Sequence, residues 1–402
     1  MRLKEICDYI SRGTTPDYVD ESPYKVMNQA TFSKGWLDES NLRYTSKNVR
    51  EAQIKKGDLL MASTGGGVLG KVFFFDSDDT SFYADSHVSI LRNSKGKSLM
   101  KYLYYVFSIK YDEINATMVK GSTNQTELQR NYLLAYELDM PPLSKQQRIV
   151  DYLDEKLGNI DARIAVLEKQ QDAYARLKKS IIYHTVTRGL NSNVSLKDSG
   201  VDWIGMIPEH WELRRFKSIF TECKSITQTG EENLLSVSEY YGVARRIDKM
   251  EDGEYESRAN SLIGYKVCKK NDLVINIMLA WKRGLGFSNF DGIVSPAYAV
   301  YRGKNIVPHY FHYLMRTDMY VTEYKRNSKG IIDSRLRMYT DRFNNIMSIF
   351  PPIPEQQTIV DYLDEKCSKI DAAIENIGKQ INALKRLKRA LINEVITGQR
   401  AV

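Results

Sequence analysis

The octapeptide IVDYLDEK occurs twice in this chain of 402 residues, at positions 149–156 and 359–366. The similarity extends beyond the octapeptide, because 24 of the 50 positions are identical when residues 141–190 are aligned with 351–400. The aligned segments open with PPLSKQQRIVDYLDEK and PPIPEQQTIVDYLDEK. A repeat of this length indicates that one structural module was duplicated within the chain.

Both copies have the apolar periodicity of a long amphipathic helix, with spacings that alternate between four and three residues. In the first copy the periodic positions are Leu153, Leu157, Ile160, Ile164 and Leu167. In the second copy they are Leu363, Cys367, Ile370, Ile374, Ile377, Ile381 and Leu384. The first series becomes polar at Gln171. We therefore predict spacer helices at 143–190 and 353–402; from about 145 to 187 the first would run roughly 60 Å.

Each predicted helix carries one apolar stripe that a second helix must cover. Since the other copy lies in the same chain, we predict that the two helices pair as an antiparallel coiled coil. The two halves of the chain would then be related by an internal pseudo-two-fold. The alternative is that the helices belong to separate bundles and share only their ancestry.

The segments outside the repeats are predicted to form two globular domains, residues 1–142 and 212–352. Between the first helix and the second domain we predict a linker at 191–211. The sequence at 191–213, NSNVSLKDSGVDWIGMIPEHWEL, is polar at first and then aromatic. We expect it to dock through Trp203, Trp211 or both.

The two globular domains correspond faintly in sequence, because KKGDLLMAST at 55–64 aligns with KKNDLVINIM at 269–278. Strand-like runs occur at 72–75, 87–91, 272–277 and 297–301, and helical patterns occur at 98–114 and 310–324. Each domain is then a sheet followed by helices. The predicted fold class is α+β, with two mixed α/β domains separated by the two long helices.

The composition favours a polyanionic partner, since the net charge is +8 and the isoelectric point is near 9.0. Charge alone is weak evidence, because many basic proteins bind no nucleic acid. No apolar run approaches the length of a membrane span, so we expect a cytoplasmic protein. The cysteines have no CxxC spacing, which argues against a disulfide framework or a zinc knuckle; they are Cys7, Cys223, Cys268 and Cys367.

No motif indicates a catalytic or metal site. GGGVLGKV at 65–72 has the glycine and lysine spacing of a phosphate-binding loop, but a valine replaces the required Ser or Thr, so we predict a turn between strands. The DEK sequences at 154–156 and 364–366 are predicted to lie on solvated helix faces. His309 and His312 have helical spacing without a completing metal ligand. A nuclease or methyltransferase with an unfamiliar site stays open as a hypothesis.

Loops in both domains carry side chains suited to DNA. Asn and Gln can bind adenine with two hydrogen bonds, Arg and Lys can bind guanine, and Ser, Thr and main-chain amides can hold phosphates. The candidate DNA-binding residues of the first domain are Lys120, Ser122, Thr123, Asn124, Gln125 and Arg130. Those of the second domain are Tyr240, Tyr241, Arg245, Arg246, Lys329 and Arg335. For each of them an ordinary solvated loop position is the alternative.

The duplicated helices, the linker DSGVDWIGMIPEHWEL and the signatures GDLL and SRGTTP are together specific. On these segments the chain resembles the DNA-specificity subunits of type I restriction-modification systems. The resemblance implies two target recognition domains, each reading one half of a bipartite site in double-stranded DNA. It also implies that the helices set the spacing and bind two modification subunits, which are methyltransferases.

The resemblance further implies that this chain is not an enzyme and binds no cofactor itself. S-adenosylmethionine, ATP and Mg would be bound by the modification subunits and by the restriction subunits of the full complex. The alternative is a coiled-coil adaptor whose globular domains bind protein. Such an adaptor would show apolar patches in loops where this sequence has Lys, Arg, Asn and Tyr.

Overall fold

The computed structural model describes residues 1–47, 49–120, 126–249 and 261–402. The chain divides into two compact units. Unit 1 comprises residues 1–168 and 379–402, and unit 2 comprises residues 169–378. Each unit contains one globular head of mixed helix and sheet and a segment of each long helix, so the predicted α+β class is confirmed.

Head 1 comprises the elements that precede residue 143. Its helices are α1 (Leu3–Ile6), α2 (Met100–Ser108), α3 (Tyr111–Thr117) and α4 (Arg130–Ala135). Its strands are β1 (Tyr9–Arg12), β2 (Tyr18–Val19), β3 (Tyr24–Met27), β4 (Arg43–Thr45), β5 (Leu59–Ala62), β6 (Val72–Phe74), β7 (Phe82–Ala84), β8 (Val88–Arg92), β9 (Val119–Lys120) and β10 (Glu127–Leu128). Strands β1-β8-β5-β6 form an antiparallel sheet, and β2-β4-β3-β7 form a second sheet. The first long helix, α5 (Leu143–Arg188), follows.

Head 2 comprises the elements between α5 and the second long helix, α10. Its strands are β11 (Leu196–Asp198), β12 (Met206–Pro208), β13 (Glu212–Arg215), β14 (Phe220–Glu222), β15 (Leu235–Ser238), β16 (Gly242–Arg245), β17 (Lys266–Cys268), β18 (Leu273–Asn276), β19 (Leu285–Phe287), β20 (Gly292–Val294), β21 (Tyr298–Gly303) and β22 (Met347–Phe350). Its helices are α6 (Phe216–Ile219), α7 (Pro308–Met315), α8 (Asp318–Asn327) and α9 (Thr340–Phe343), and α10 spans Ile353–Ile396.

The two heads share one sheet framework. The order β1-β8-β5-β6 in head 1 is repeated as β14-β21-β18-β19 in head 2, and every neighbouring pair is antiparallel. Both sheets begin their central strand with a buried aspartate that an arginine binds, Asp58 with Arg92 at 2.6 Å and Asp272 with Arg302 at 2.9 Å. The faint sequence correspondence between KKGDLL and KKNDLV is therefore structural.

The two long helices run antiparallel where they pair. In unit 2, Gln171 Nε2 donates to Ile374 O at 3.4 Å and Lys178 binds Asp371 at 2.6 Å, so the residue number falls on α10 as it rises on α5. In unit 1, Lys388 binds Asp161 at 2.6 Å. Asp161 and Asp371 occupy the same position of the repeat, as do Lys178 and Lys388. Each unit therefore contains one copy of the same ion pair, with the two helices exchanged.

The residues predicted to pair the helices lie on their covered sides. Most are buried: Leu153, Leu157, Ile164, Leu167, Leu363, Ile370, Ile377 and Ile381. Three are half-buried: Ile160, Ile374 and Leu384. Leu153 and Leu363, near the starts of the helices, also belong to the cores of their own heads. The stripe thus serves head packing in its first turns and helix pairing beyond them.

A buried glutamine fastens each head to its long helix. Gln146 and Gln356, the first residue of each QQ pair, are 2% and 0% exposed. Each donates to the carbonyl oxygen of the first proline in the preceding Pro-Pro pair, at 2.8 and 2.9 Å. Each also accepts a main-chain N–H, from Leu99 at 3.0 Å and from Val307 at 2.9 Å, the residues that precede α2 and α7. The PPxxxQQ motif is therefore a joint between helix and head.

The aspartates of the two DEK sequences also contact the heads, although Asp364 is exposed, as predicted for a solvated helix face, and Asp154 is half-buried. The Tyr105 hydroxyl donates to Asp154, which also binds Lys101 at 2.7 Å. In the second copy the Tyr313 hydroxyl donates to Asp364 at 2.7 Å. Burial and the nearby carboxylate raise the pKa of both tyrosines. These contacts pin α2 and α7 to the long helices.

The linker docks in unit 2 through both predicted tryptophans. Trp211 is fully buried, and its Nε1 donates to Glu355 Oε2 at 2.9 Å. Trp203 packs edge-on against Tyr320 with ring centroids 5.0 Å apart. Gly189 ends α5 with φ of 75°, and a Cβ there would lie 3.2 Å from the Trp211 ring. This glycine therefore permits both the turn out of the helix and the close packing of the tryptophan.

The single helices predicted at 98–114 and 310–324 are each broken into two, as α2 and α3 and as α7 and α8. The break in head 2 lies at Arg316 and Thr317. There Arg316 donates to carbonyl oxygens outside its helix, those of Arg283 and Leu285, both at 2.7 Å. Tertiary hydrogen bonds therefore redirect the chain at a point where the local apolar pattern continues.

Candidate nucleic-acid interface

Head 1 has an open polar cavity of about 510 Å³ where several strands end. Most of its lining residues lie just after β3, just after β7, or at the start of β4. They are Tyr18, Asn28, Gln29, Ala30, Ser40, Asn41, Leu42, Arg43, Asp85 and His87. Amide, imidazole, guanidinium and carboxyl groups thus share one concave surface. Such a mixture of donors and acceptors suits the edges of DNA bases, which present both.

A chain of hydrogen bonds fixes the side chains at one edge of this cavity. Thr64, just after β5, donates to Gln29 Oε1 at 3.2 Å. The Thr64 hydroxyl lies 2.7 Å from His87 Nδ1. Because this hydroxyl donates its only proton to Gln29, it accepts a hydrogen bond from the ring nitrogen of His87. Gln29 and His87 are therefore held in defined orientations, as a base-reading surface requires.

A buried carboxyl and an exposed cation complete the cavity. Asp85 is 2% exposed, and burial raises the pKa of its carboxyl. Its Oδ1 accepts the His87 main-chain N–H at 2.8 Å. The Arg43 guanidinium stacks on the Tyr18 ring, 5.1 Å from the centroid. Asp can accept from cytosine and Arg can donate to guanine or phosphate, so the cavity has groups for both kinds of contact.

The loop predicted to bind DNA in head 1 is joined to the same strand end. Lys120 in β9 pairs with Glu127 in β10, and the main-chain N–H of Gly65 donates to Thr126 O at 3.3 Å. We call residues 119–128 arm 1. Four predicted residues, Ser122, Thr123, Asn124 and Gln125, lie outside the described residues, and of Lys120 the main chain alone is described. The predicted turn GGGVLGKV lies between β5 and β6, beside this arm.

Arg130 lies at the base of arm 1, as the first residue of α4. It is exposed, and its Nη2 donates to Ile10 O at 3.2 Å. Arg12, from the SRGTTP signature, binds Glu127 and donates to Leu128 O at 3.2 Å. The signature arginine therefore attaches arm 1 to the first sheet.

In head 2 the predicted tyrosines and arginines lie at opposite ends of one strand. Tyr240 and Tyr241 form the turn between β15 and β16, and Tyr240 is 84% exposed. Arg245 ends β16, where it binds Asp248 at 2.8 Å and lies over the Phe290 ring. Arg246 follows it and is half-buried. The structure thus separates the four residues into a tyrosine turn and an arginine end.

A second cavity, of about 480 Å³, lies beside the tyrosine turn in unit 2. Arg316 holds the turn, donating to the carbonyl oxygens of Glu239 at 2.7 Å and Tyr240 at 3.1 Å. Burial and the charge of Arg283 lower the pKa of Arg316 to about 10. Burial and nearby cations lower the pKa of His312, which also lines this cavity, to about 3, so its ring is neutral near pH 7. The turn is therefore supported by a half-buried cation.

Head 2 has its own arm, residues 329–337, at the position that matches arm 1. Lys329 and Arg337 exchange two main-chain hydrogen bonds, of 3.0 and 2.9 Å. We call this segment arm 2. The predicted residues Lys329 and Arg335 both lie on it and are both exposed. Arm 2 and arm 1 are therefore equivalent projections that carry unlike sequences.

Sequence reasoning missed the polar residues of the head 1 cavity, among them Asn28, Gln29, Thr64, Asp85 and His87. Each lies within three residues of the end of a strand, and this position was the available signal. In the described part of the chain, no cluster of three or more His, Cys, Asp or Glu has the arrangement of a metal site. None of the described helices combines the length and apolar character that crossing a membrane requires.

Residues 1–173 match the family model of the type I restriction modification DNA specificity domain. The first 173 residues are therefore similar to a type I DNA specificity domain. It is 21% identical over 420 residues to the type I restriction enzyme MjaVIII specificity subunit of Methanocaldococcus jannaschii, covering 99% of this chain and 92% of that protein. It is 22% identical over 319 residues to the EcoBI specificity subunit of Escherichia coli, covering 74% and 65%.

A third specificity subunit, the putative MjaX protein of Methanocaldococcus jannaschii, is 26% identical over 219 residues. The match covers 52% of this chain, which spans about half (50%) of that relative. Among solved structures, a chain from a study of complex assembly and conformational transition in the type I R-M system superposes with a TM-score of 0.69 at 15% identity, covering 98% and 96% of the two chains. The HsdS subunit from Thermoanaerobacter tengcongensis gives a TM-score of 0.51 at 15% identity, covering 100% and 96%. These likenesses show the specificity-subunit fold.

The similarity to DNA-specificity subunits draws attention to the two arms and the head 1 cavity. These surfaces lie on the heads, outside the duplicated helices and the joints at Gln146 and Gln356. The parts that the repeat shares are thus structural, and the parts that differ between heads carry the exposed polar groups.

Proposed function

We propose that this chain is the DNA-recognition subunit of a type I restriction-modification complex, in which each head reads one half of a bipartite site. The observation that carries the proposal is the contrast between the heads. They share a sheet order and a buried Asp–Arg pair, yet their strand ends and arms carry different polar side chains. A shared framework with different contact residues is what reading two unlike half-sites requires.

The paired helices would set the distance between half-sites. At roughly 1.5 Å per residue, the 46 residues of α5 extend for roughly 70 Å. Successive major-groove faces on one side of DNA recur at about 34–36 Å, which lies within that reach. The DNA between the half-sites would then be spanned without being read.

The helices also have a surface suited to two copies of one partner. Leu177 and Leu387 occupy the same position of the repeat and are 47% and 51% exposed. In unit 2, Leu177 borders a groove of about 460 Å³ with Ala373 and Ile377. Exposed apolar side chains repeated in both copies support the docking of two methyltransferase subunits, one on each. Leu177→Asp and Leu387→Asp should each remove one methyltransferase subunit from the complex, as measured by native mass spectrometry. Leu196→Asp serves as the control, since Leu196 lies in β11 and is 44% exposed.

In this assembly the present chain performs no bond chemistry. S-adenosylmethionine would be bound by the methyltransferase subunits, and ATP and Mg by restriction subunits, all in the cytoplasm. Sequencing of the methylated sites in cells that express this chain with its methyltransferase subunit tests the proposal directly. A bipartite motif is the expected result; methylation without a motif, or methyl transfer by the purified chain alone, would contradict it.

Substitutions in the arms test which residues bind phosphates and which read bases. Lys120→Ala and Arg335→Ala should weaken binding to all sequences and reduce the salt slope by about one. Changes at Asn124 or Gln125 should relax one half-site by roughly 1–3 kcal/mol per base pair. Lys95→Ala is a matched control, since this exposed lysine follows the end of β8 remote from the cavity. Unchanged affinity and methylation motif in all four arm variants would move the reading surface elsewhere.

A further inference from the structure

Two exposed isoleucines lie at the tip of arm 2. Ile331 is 99% exposed, more than any other large apolar side chain in the described residues, and the adjacent Ile332 is 54% exposed. Single apolar residues are common on protein surfaces, but an adjacent apolar pair at the tip of a projecting arm is not explained by chance exposure. The tip has the composition of a contact surface.

The arm holds this tip in a defined conformation. Lys329 and Arg337 close its base with two main-chain hydrogen bonds, and the Arg335 N–H donates to Ile332 O at 2.9 Å. Gly330 lies so close to the other side of the arm that a Cβ there would be 2.6 Å from Arg335 O. Since the base continues into buried Met338, the isoleucines project from a braced support.

The surroundings of the tip are basic. Residues 325–337 contain five Lys or Arg residues and one acid, Asp333. This single carboxylate binds Lys325 at 3.0 Å, so it does not oppose the charge of the exposed Lys329 and Arg335. Cationic flanks attract the DNA backbone, and apolar side chains between such flanks are the groups that enter base steps in DNA-bending proteins.

Arm 1 has a different tip. Its closing pair, Lys120 with Glu127, matches Lys329 with Arg337 in arm 2. The segment that follows Gly121 reads STNQ, whereas the segment that follows Gly330 reads IIDS. The sequence after Gly330 is therefore apolar where the corresponding sequence after Gly121 is polar.

We propose that Ile331, supported by Ile332, enters the DNA half-site of head 2 as a wedge that parts one base step and bends the duplex. This inference rests on the proposed function, since it names how head 2 engages its half-site. The wedge makes the identity of the parted step a determinant of specificity without a hydrogen bond to it, because pyrimidine–purine steps unstack most easily.

The test uses the full chain assembled with its methyltransferase subunits and a duplex that contains the methylated motif. 2-Aminopurine, whose fluorescence rises on unstacking, is placed at each step of the half-site of head 2 in turn. Apart from the target base, which a methyltransferase extrudes from the duplex, the wild-type complex should raise the fluorescence at one step, and Ile331→Ser should abolish that rise. The same variant should bind the site about tenfold more weakly. The lost apolar contact weakens binding, and the unstacking cost that is no longer incurred offsets part of this loss. Its salt slope should stay unchanged, since no cation is removed.

Ile263→Ser is the matched control, because Ile263 is also in head 2 and is 61% exposed. It should leave fluorescence and affinity unchanged. Specific binding with no fluorescence change at any step of this half-site, or equal affinity of Ile331→Ser and wild type, would overturn the wedge and leave the proposed function intact. Loss of subunit assembly in Ile331→Ser, with DNA stacking unaffected, would identify the tip as a protein contact and also overturn it. A wild-type complex that binds no specific sequence would instead refute the proposed function, and the wedge with it.

Discussion

Replacement of Gln356 with Leu should detach head 2 from α10 without removing side-chain volume. Gln356 is fully buried, donates to Pro351 O at 2.9 Å and accepts the Val307 N–H at 2.9 Å. Leucine can make neither bond, so a main-chain donor and a main-chain acceptor lose their partners. Each such group costs about 1–3 kcal/mol when it is left unsatisfied, which gives a loss of about 3 kcal/mol for the pair.

Thermal unfolding of unit 2 is the global measurement. For a unit of 210 residues, a loss of about 3 kcal/mol lowers the unfolding midpoint by about 6–12 °C. Hydrogen exchange at the Val307 amide is the local measurement, and this amide should exchange faster in the variant because its acceptor is gone.

The second glutamine of the same QQ pair supplies the control. Gln357 is exposed and donates to Asp361 Oδ1 at 2.8 Å, one turn along α10. Gln357→Leu should change the free energy of unfolding by no more than about 0.5 kcal/mol, as is usual for surface positions. If Gln356→Leu and Gln357→Leu were equally stable, with equal exchange at Val307, the joint would not hold the head.

Three further predictions concern the helices and the second cavity. Charge reversal by Lys178→Asp or Asp371→Lys alone should cost about 0.2–1 kcal/mol of unfolding free energy, and the double variant should recover it; equal losses in single and double variants would exclude a direct pairing. His312, with its pKa lowered to about 3, stabilises the fold above pH 6.5 and loses this contribution as the pH falls toward 3. Urea unfolding at pH 7 and pH 5 should therefore show a drop about 2 kcal/mol larger in the protein than in His312→Gln. A fragment of residues 1–190 contains both Asp161 and Lys178, so two copies should pair antiparallel and, with the methyltransferase subunits, methylate an inverted repeat; light scattering that shows a monomer would contradict this.

The repeat made the long helices predictable, because a verbatim duplication and an a/d periodicity are both local patterns. The bounds Leu143–Arg188 and Ile353–Ile396 follow from them to within a few residues. The strands at 72–75 and 272–277 were predictable for the same reason, as short apolar runs bounded by turn residues. Where a tertiary contact decides the conformation, as at Arg316, the local pattern predicted one helix and the chain forms two.

The roles of polar residues were not predictable from periodicity. Gln146 is polar although it is in phase with the apolar series of α5, and Asp154 stands at a position that the helical pattern assigns to solvent. Partners distant in sequence, Leu99 and Tyr105, bind them. The head 1 cavity was not predictable either, because its residues are distant in sequence. Gln29 and His87 meet through Thr64 because three separate strands end at one place, and this meeting depends on the order of strands in the sheets.

The joint at each glutamine has a consequence for how such chains change over time. Gln146 and Gln356 bind main-chain amides, of Leu99 and Val307, and main-chain groups are the same in every sequence. An unrelated head that begins a helix at this point therefore brings the required N–H with it, whatever its side chains are. Genetic recombination within the PPxxxQQ segment could then exchange one head for another in a single event, and the recombinant chain would fold with its spacer unaltered and a new combination of half-sites.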